Sequence, residues 1–303
     1  MPRIITPKDR SDWLAMRRLD VTSTESAALF GLSPYLTAFE LYQRKVGALT
    51  DEIEQSGRMT WGLRLQDAIA LGVAQDLGLR VRRINSYWRH DDEATRMGSS
   101  FDFEIIDHPS GPGLMEIKNV DFIVYRDEWL ADEAPPHIEV QVQHQLEVAN
   151  RDWALIVAMV GGNTVKTIRV ERDRAMGAQI TAAIRAFWQR VDAKTPPAPD
   201  YAKDAETIRA LFKDGSGAPL NAKGNNYLQA LVGAYDKARE DEKDAAARKK
   251  AAQAEILTMI GNAEKVLGDG WSISAKTINK GEYVVKPTSY RDFRLTMKST
   301  AAA

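Results

Sequence analysis

The chain has 303 residues, 44% of them hydrophobic, a formal net charge of −1 and no cysteine. That length buries a full core with room for an appendage; the missing cysteines exclude disulfides, thiolate catalysis and cysteine-held zinc or iron–sulfur sites, and four scattered histidines argue against a His-rich metal site. A hard cation held by oxygen is the metal chemistry that remains, and a nucleic-acid partner must be read from local clusters because the global charge signals none.

No run approaches the ~20 consecutive apolar residues of a membrane span. The opening residues MPRIITPKDRSDW carry no apolar secretory segment. The expectation is a cytoplasmic protein with no membrane partner.

In chain order, residues 11–18 read as a helix with a capping-type start, and residues 37–46 as a second, closed by Gly47. The turn chemistry of Gly31-Leu32-Ser33-Pro34-Tyr35 separates them. Leu65, Ile69, Val73 and Leu77 recur every fourth position, which predicts an amphipathic helix over 62–78 with Gln66 at the edge of its inward face. Strands are predicted over 79–88, 99–106, 114–120, 153–161 and 164–171, where β-branched or alternating apolar residues dominate. Helices are predicted over 138–150 and 172–191. A central mixed sheet flanked by helices makes this an α/β (α+β) domain.

The prolines of Thr195-Pro196-Pro197-Ala198-Pro199-Asp200 cannot continue a helix, so a linker is expected over 195–202 between a domain of residues 1–194 and a C-terminal region of residues 203–303. That region reads as a long charged, alanine-rich helix over 235–265, followed by a small hairpin of 271–277 with 282–286.

The residues that carry chemistry lie in the middle. Asp102 is followed fourteen positions later by Glu116-Ile117-Lys118, with Gly111-Pro112-Gly113 as the turn between two strands. Side chains alternate along a strand, so Glu116 and Lys118 project together with Ile117 on the opposite face. Two carboxylates on adjacent strands make an oxygen cage for Mg²⁺, to which the Ile117 carbonyl can add, and a nearby lysine can orient or help deprotonate water. Phosphodiester hydrolysis is the reaction class this suits. By spacing alone, the same residues also suit an ordinary cross-strand ion pair.

Context narrows the choice. Gln141 and Gln145 stand one turn apart on a helix, in Gln141-Val142-Gln143-His144-Gln145. Upstream, Trp13, Arg17, Thr22, Ser23, Thr24 and Glu25 lead into Ala27-Ala28-Leu29-Phe30-Gly31-Leu32-Ser33-Pro34-Tyr35. Taken in order, these blocks resemble the lambda-exonuclease and YqaJ-type viral recombinase family, of the PD-(D/E)XK, restriction-endonuclease-like superfamily, over roughly residues 11–172.

The resemblance implies that Asp102 and Glu116 are metal carboxylates, Lys118 the catalytic lysine and Gln141 the supporting glutamine. It implies that Arg17 and Thr24 grip a 5′ phosphate, although Arg17 also suits a solvated helix face and Thr24 a helix cap. It further implies a phage-type 5′–3′ exonuclease of linear double-stranded DNA that leaves 3′ tails for recombination. Two Mg²⁺ ions with Mn²⁺ able to substitute, a homotrimer ring and a single-strand annealing protein as partner belong to the same expectation.

One position departs from the pattern. Where the family carries glutamate in a G-xxx-E block, this chain has Gly62-Leu63-Arg64-Leu65-Gln66, which supplies a neutral oxygen in place of a charge. Asp67 points ~100° away on the helix, and Glu104 is the strand residue expected to compensate. Two other readings therefore stay open: a same-fold endonuclease or single-strand nuclease, and a catalytically weakened DNA-end-binding protein. His108, His137 and His144, and likewise Trp61, Trp88, Trp129 and Trp153, are expected in surface, packing or core roles, and the Arg248-Lys249-Lys250 cluster on the solvated long helix.

Overall fold

A computed structural model describes residues 1–50, 56–129, 133–282 and 291–296. In chain order the elements are β1 (Arg3–Ile5), α1 (Arg10–Leu19), β2 (Val21–Thr22), α2 (Ser23–Ser26), α3 (Ala38–Lys45), α4 (Gly57–Asp76), β3 (Arg80–Arg83), β4 (Tyr87–Arg89), β5 (Met97–Ser100), β6 (Phe103–Ile106) and β7 (Gly113–Val120). They continue with α5 (Phe122–Glu128), α6 (Pro136–Ala149), β8 (Trp153–Val160), β9 (Thr164–Glu171), α7 (Arg174–Asp192), α8 (Ala205–Leu211), α9 (Asn226–Ile260), β10 (Lys265–Gly268) and β11 (Trp271–Ser274). The chain divides into two units, Met1–Leu211 and Phe212–Ala303.

The first unit is a mixed α/β structure with two sheets. One orders its strands β1-β4-β5-β2; the other, β3-β6-β7-β8-β9, is mixed, with β7 and β8 parallel and its other neighbours antiparallel. The predicted strands 79–88 and 99–106 are therefore each broken in two. Their first and second halves join different sheets, because the chain bends at residues 84–86 and at Phe101-Asp102.

Alternation along β7 sorts its side chains onto two cores. Met115 and Ile117 pack with Phe103, Ile105 and Val157 against Ile69, Ala70 and Val73 of α4. Leu114 faces the other way, into the core shared by α6 and α7. Glu116 and Lys118 follow Leu114 in the alternation, so they project toward α6. That helix is buried around most of its circumference, from Ile138 to Ala149, as expected of a helix packed on several sides.

Three turns explain the local path. Thr37 caps α3 by accepting the Glu40 N–H at 3.0 Å. Gly111 adopts φ +77° in the β6–β7 turn, a conformation glycine takes without strain. Gly113 opens β7 beneath the Trp153 ring, where an added Cβ would stand 2.5 Å from the indole.

The first unit does not stop at the prolines. It runs past the expected linker of 195–202 to Leu211, because Asp204 is fully buried, accepting hydrogen bonds from the Thr37 hydroxyl and the Asp200 N–H.

In the second unit α9 is long, as predicted, but spans Asn226–Ile260 and buries none of its residues. The hairpin differs from the expected one. Trp271–Ser274 pairs antiparallel with the preceding Lys265–Gly268, through a two-residue turn in which Gly270 has φ +80°. Such short turns favour partners close in sequence. The expected partner strand lies largely outside the described residues.

Candidate active site

The site forms where the β6–β7 ladder opens. The pairs Glu104 with Leu114 and Phe103 with Met115 set a register that places Asp102 directly opposite Glu116. Asp102 lies in the bend just before β6, yet its Oδ2 accepts the Ile117 N–H at 2.8 Å, so a carboxylate takes over the pairing that a backbone carbonyl would supply. Its other oxygen accepts from the Gln66 amide. Glu116 is 6% exposed and bonded on both oxygens: Oε1 accepts from Lys118 Nζ at 2.9 Å and Gln141 Nε2 at 2.6 Å, Oε2 from Gln145 Nε2 at 2.8 Å. Lys118 Nζ also donates to Gln141 Oε1 at 2.8 Å. Five sequence-predicted residues, Asp102, Glu116, Lys118, Gln141 and Gln66, are thus brought into one hydrogen-bonded cluster.

Like charges directly opposite on two strands repel. Burial, with the Glu116 charge behind it, pushes the Asp102 carboxyl up to about 7. A half-buried carboxylate, Asp102, and a buried one, Glu116, fit a divalent cation in this arrangement, which would relieve both desolvation and repulsion. A neutral oxygen completes the donor set. An extended residue directs its N–H and C=O to the same side, so the Ile117 carbonyl opens on the edge of β7 that its N–H uses to reach Asp102. Among the described residues no three His, Cys, Asp or Glu side chains come together to hold a metal, so a cation here would rely on two carboxylates and on the Ile117 carbonyl; the Gln66 oxygen accepts from Arg83, and its amide nitrogen faces Asp102.

The residues expected to compensate for Gln66 do not. Glu104 is 2% exposed and held by Arg82 and Arg151. Burial would raise its pKa, but these two guanidinium groups more than offset that and hold it below the ordinary range. It is a structural ion pair, one register step too deep to reach the site. Asp67 pairs with Arg83, which also donates to Gln66 Oε1 at 3.2 Å.

Arg17 and Thr24 come together beside this cluster. Arg17 lies 4.6 Å from the Trp13 ring and donates to Thr24 Oγ1 at 3.3 Å. Thr22, whose N–H donates to Glu25 at 2.8 Å, is the residue that caps α2, so the Thr24 hydroxyl is not spent as a helix cap. Ser100 links the two groups, accepting Trp13 Nε1 at 2.9 Å on its hydroxyl and Gln145 Nε2 at 3.4 Å on its carbonyl. Thr24, Arg58, Lys118 and Gln141 line one cavity of about 280 Å³.

Two supporting residues escaped the sequence reading. Gln145 was legible as a neighbour of Gln141 but not as a Glu116 ligand. Lys45 had no signal at all: it is buried, and its Nζ binds both Glu25 oxygens at 2.9 and 3.0 Å and the Arg17 carbonyl at 2.9 Å. Of the histidines, His144 is fully buried and its Nε2–H donates to the Gly98 carbonyl at 3.0 Å, burial pushing its pKa down to about 4. Trp88, Trp129 and Trp153 are core residues; Trp61 is 56% exposed, with Arg64 over its ring.

Among known proteins, the chain is 29% identical over 200 residues to the uncharacterized protein YqaJ of Bacillus subtilis (strain 168), a match covering 65% of this chain and 61% of that protein's length. In fold it is similar to the alkaline exonuclease LHK-Exo of Laribacter hongkongensis, with TM-score 0.52 and 22% identity over 65% of this chain and 98% of the other. The structure of LHK-Exo in complex with dAMP gives TM-score 0.51 and 23% identity over the same shares. No helix among the described residues is long and apolar enough to cross a membrane. Residues 12–152 of this chain match the family model of the YqaJ-like viral recombinase domain.

Proposed function

We propose that the first unit is a Mg²⁺-dependent deoxyribonuclease that degrades the 5′-ended strand of linear duplex DNA and leaves 3′ tails for recombination by strand annealing. The observation that carries this reading is the placement of Asp102 opposite Glu116, with Lys118 Nζ 2.9 Å from Glu116 Oε1 and 2.8 Å from Gln141 Oε1. The likeness of fold to an alkaline exonuclease, one structure of which holds dAMP, supports it.

Asp102, Glu116 and the Ile117 carbonyl would hold Mg²⁺ or Mn²⁺, which supplies electrostatic stabilisation of the charge that builds on the phosphodiester. Glu116 and Gln141 fix the Lys118 ammonium by each accepting a hydrogen bond from it, and its third N–H is free to orient an attacking water. Gln145 and Gln141 hold the Glu116 carboxylate in one rotamer. Arg17 and Thr24 would take the 5′ phosphate, the guanidinium through paired hydrogen bonds. Because Thr24 and Lys118 line the same cavity, one nucleotide can be gripped at its end while its next phosphodiester is attacked.

Digestion of end-labelled linear duplex, beside a closed circle, tests the assignment. Loss of 5′-label from the linear form only, faster with a 5′ phosphate and abolished by EDTA or Asp102→Ala, is the expected result. Cleavage of the circle instead assigns an endonuclease of the same fold. A ring of three subunits and a single-strand annealing partner are part of the proposal, checked by solution mass and by co-purification.

One observation favours a second reading, a DNA-end-binding protein with weakened catalysis. The Gln66 amide donates to an Asp102 oxygen and adds no charge of its own. If wild-type protein binds ends without releasing nucleotides and Gln66→Glu restores hydrolysis, this reading replaces the first.

A further inference from the structure

Helix α9 runs 35 residues, all without burial, a length of about 52 Å. Helices in proteins draw most of their stability from packing an apolar face, so a helix this long calls for a partner. Its exposed apolar side chains gather toward both ends: Leu228 and Leu231 near the start and Ile256 and Met259 near the finish, with Tyr227 and Leu257 beside them and Tyr235 farther in. The first four fall on one heptad frame, Leu228 and Ile256 at position a, Leu231 and Met259 at position d. Between them the seam carries Tyr235, then alanine at every d position (Ala238, Ala245, Ala252) and a charge at two a positions, Glu242 and Lys249.

This pattern selects both an occupant and a direction. In a parallel pair of identical helices each a position meets itself, so Glu242 would face glutamate and Lys249 lysine. Such like-charge contacts disfavour that arrangement. In an antiparallel pair a meets d. Centred between Glu242 and Ala245, the register sets Leu228 against Met259 and Leu231 against Ile256, joining apolar ends to apolar ends. Glu242 and Lys249 then each meet an alanine, and their long side chains can reach past it to water. On the flank, Asp241 comes beside Arg248 of the copy, and two-fold symmetry makes this pair twice. The described segment 291–296 touches the helix at Tyr235 and Arg239, while Asp241, Arg248 and both apolar ends are exposed.

We infer that α9 pairs with α9 of a second copy of this chain as an antiparallel coiled coil, with Leu228 opposite Met259 and Asp241 opposite Arg248. The inference does not rest on the nuclease reading or on its three-subunit ring; with that ring, the two-fold pairs join two rings into six subunits.

The chain has no cysteine, so introduced thiols report single positions. Full-length Leu228→Cys and Met259→Cys proteins, one carrying a size tag, are mixed and mildly oxidised at low micromolar concentration. The mixed disulfide dimer is expected to dominate, with each variant alone uncrosslinked, because its own thiols would lie about 46 Å apart in the pair. Crosslinking of Leu228→Cys to itself overturns the antiparallel register, and absence of any crosslink overturns the pairing. Adding Asp241→Arg to both proteins should lower the mixed yield at least about threefold, and adding Arg248→Asp as well should restore it; an unchanged yield defeats the charge argument. Circular dichroism at 222 nm confirms that each variant stays folded.

Discussion

Asp102 and Glu116 face each other with little solvent between, so the site opposes its own electrostatics, a conflict that the proposed cation would relieve. Asp102→Asn keeps an acceptor for the Ile117 N–H but removes one of the two charges. It should lower hydrolysis at least about a hundredfold while raising the melting temperature in EDTA by roughly 2–4 °C, the effect of about 1 kcal/mol. Initial rates and thermal melts check both halves, and a lower melting temperature in EDTA would contradict the repulsion. Lys45 presents the reverse case, a buried cation whose removal strands a partner. Burial would raise the Glu25 pKa, but Lys45 and then Arg17 outweigh it and hold the carboxyl low. Lys45→Met should cost about 3–5 kcal/mol, as loss of one member of a buried pair does, measured as a shift in urea midpoint; Lys45→Arg should recover part of it. Lys45 was illegible in the sequence because nothing in Arg44-Lys45-Val46 distinguishes a buried lysine from a solvated one. Strand alternation put Glu116 and Lys118 on one face with Asp102 on the neighbouring strand, but by spacing alone these three equally suited a cross-strand ion pair; the resemblance to the YqaJ-type family is what singled them out as a candidate site.

At the level of elements, α6 is what turns strands into a site, since it brings Gln141 and Gln145 onto Glu116. Its far end is anchored by Glu147, which binds Arg172 at 2.7 Å and lies 3.8 Å from His90, at ion-pair range. His90 and then Arg172 hold Glu147 down to about 2, and Glu147 in turn raises His90. The depressed carboxylate contributes stability above the ordinary carboxylate range of about 4, lost as pH falls toward 2; the raised imidazole contributes below about 6.5, lost as pH rises through its folded pKa. Stability from this cluster should therefore peak near pH 5–6. Melting temperatures from pH 5 to 9 test this: Glu147→Gln should flatten the alkaline decline, and an unchanged decline would assign it elsewhere. β7 is fixed from the other side by Trp153, whose Nε1 donates to the Gly111 carbonyl at 3.1 Å. Gly113→Ala would drive a methyl into that ring and should cost about 1–3 kcal/mol, read by chemical denaturation. Helix α4 was legible through its four-residue apolar period and α9 through its composition, whereas the short α2, α5 and α8 have too few turns to show a period. The break in 99–106 was not legible, because Phe101, Phe103 and Ile105 alternate straight through it and only a change of partner strand reveals the bend at Asp102; in 79–88 the apolar phase does shift between Val81 and Ile84, just before the chain bends.

The whole molecule is two units, and the sequence marked their separation by prolines that do end a helix but do not end the unit. Beyond them the chain returns to bury Asp204, whose carboxylate takes the Thr37 hydroxyl at the start of α3. A single acidic residue in Lys203-Asp204-Ala205 carries no sequence sign of such burial, so the boundary was readable only from the contact itself. Tolerance of truncation follows from the burial of the affected backbone and side chains, not from composition. A chain ending at Leu211 should thus unfold cooperatively with the first unit's melting temperature within about 2 °C of that in the full chain. Ending at Lys194 instead removes Asp204, the partner of the Thr37 cap, and with it a buried hydrogen bond to a charged group at about 1.5–3 kcal/mol. For a unit of this size that lowers the melting temperature by roughly 4–10 °C. Calorimetry of the two truncations decides between them: equal melting temperatures would mean that residues 195–211 merely lie against the first unit, whereas a lower value for the shorter chain, matched by Asp204→Ala in the longer one, makes the buried carboxylate the residue that closes the fold.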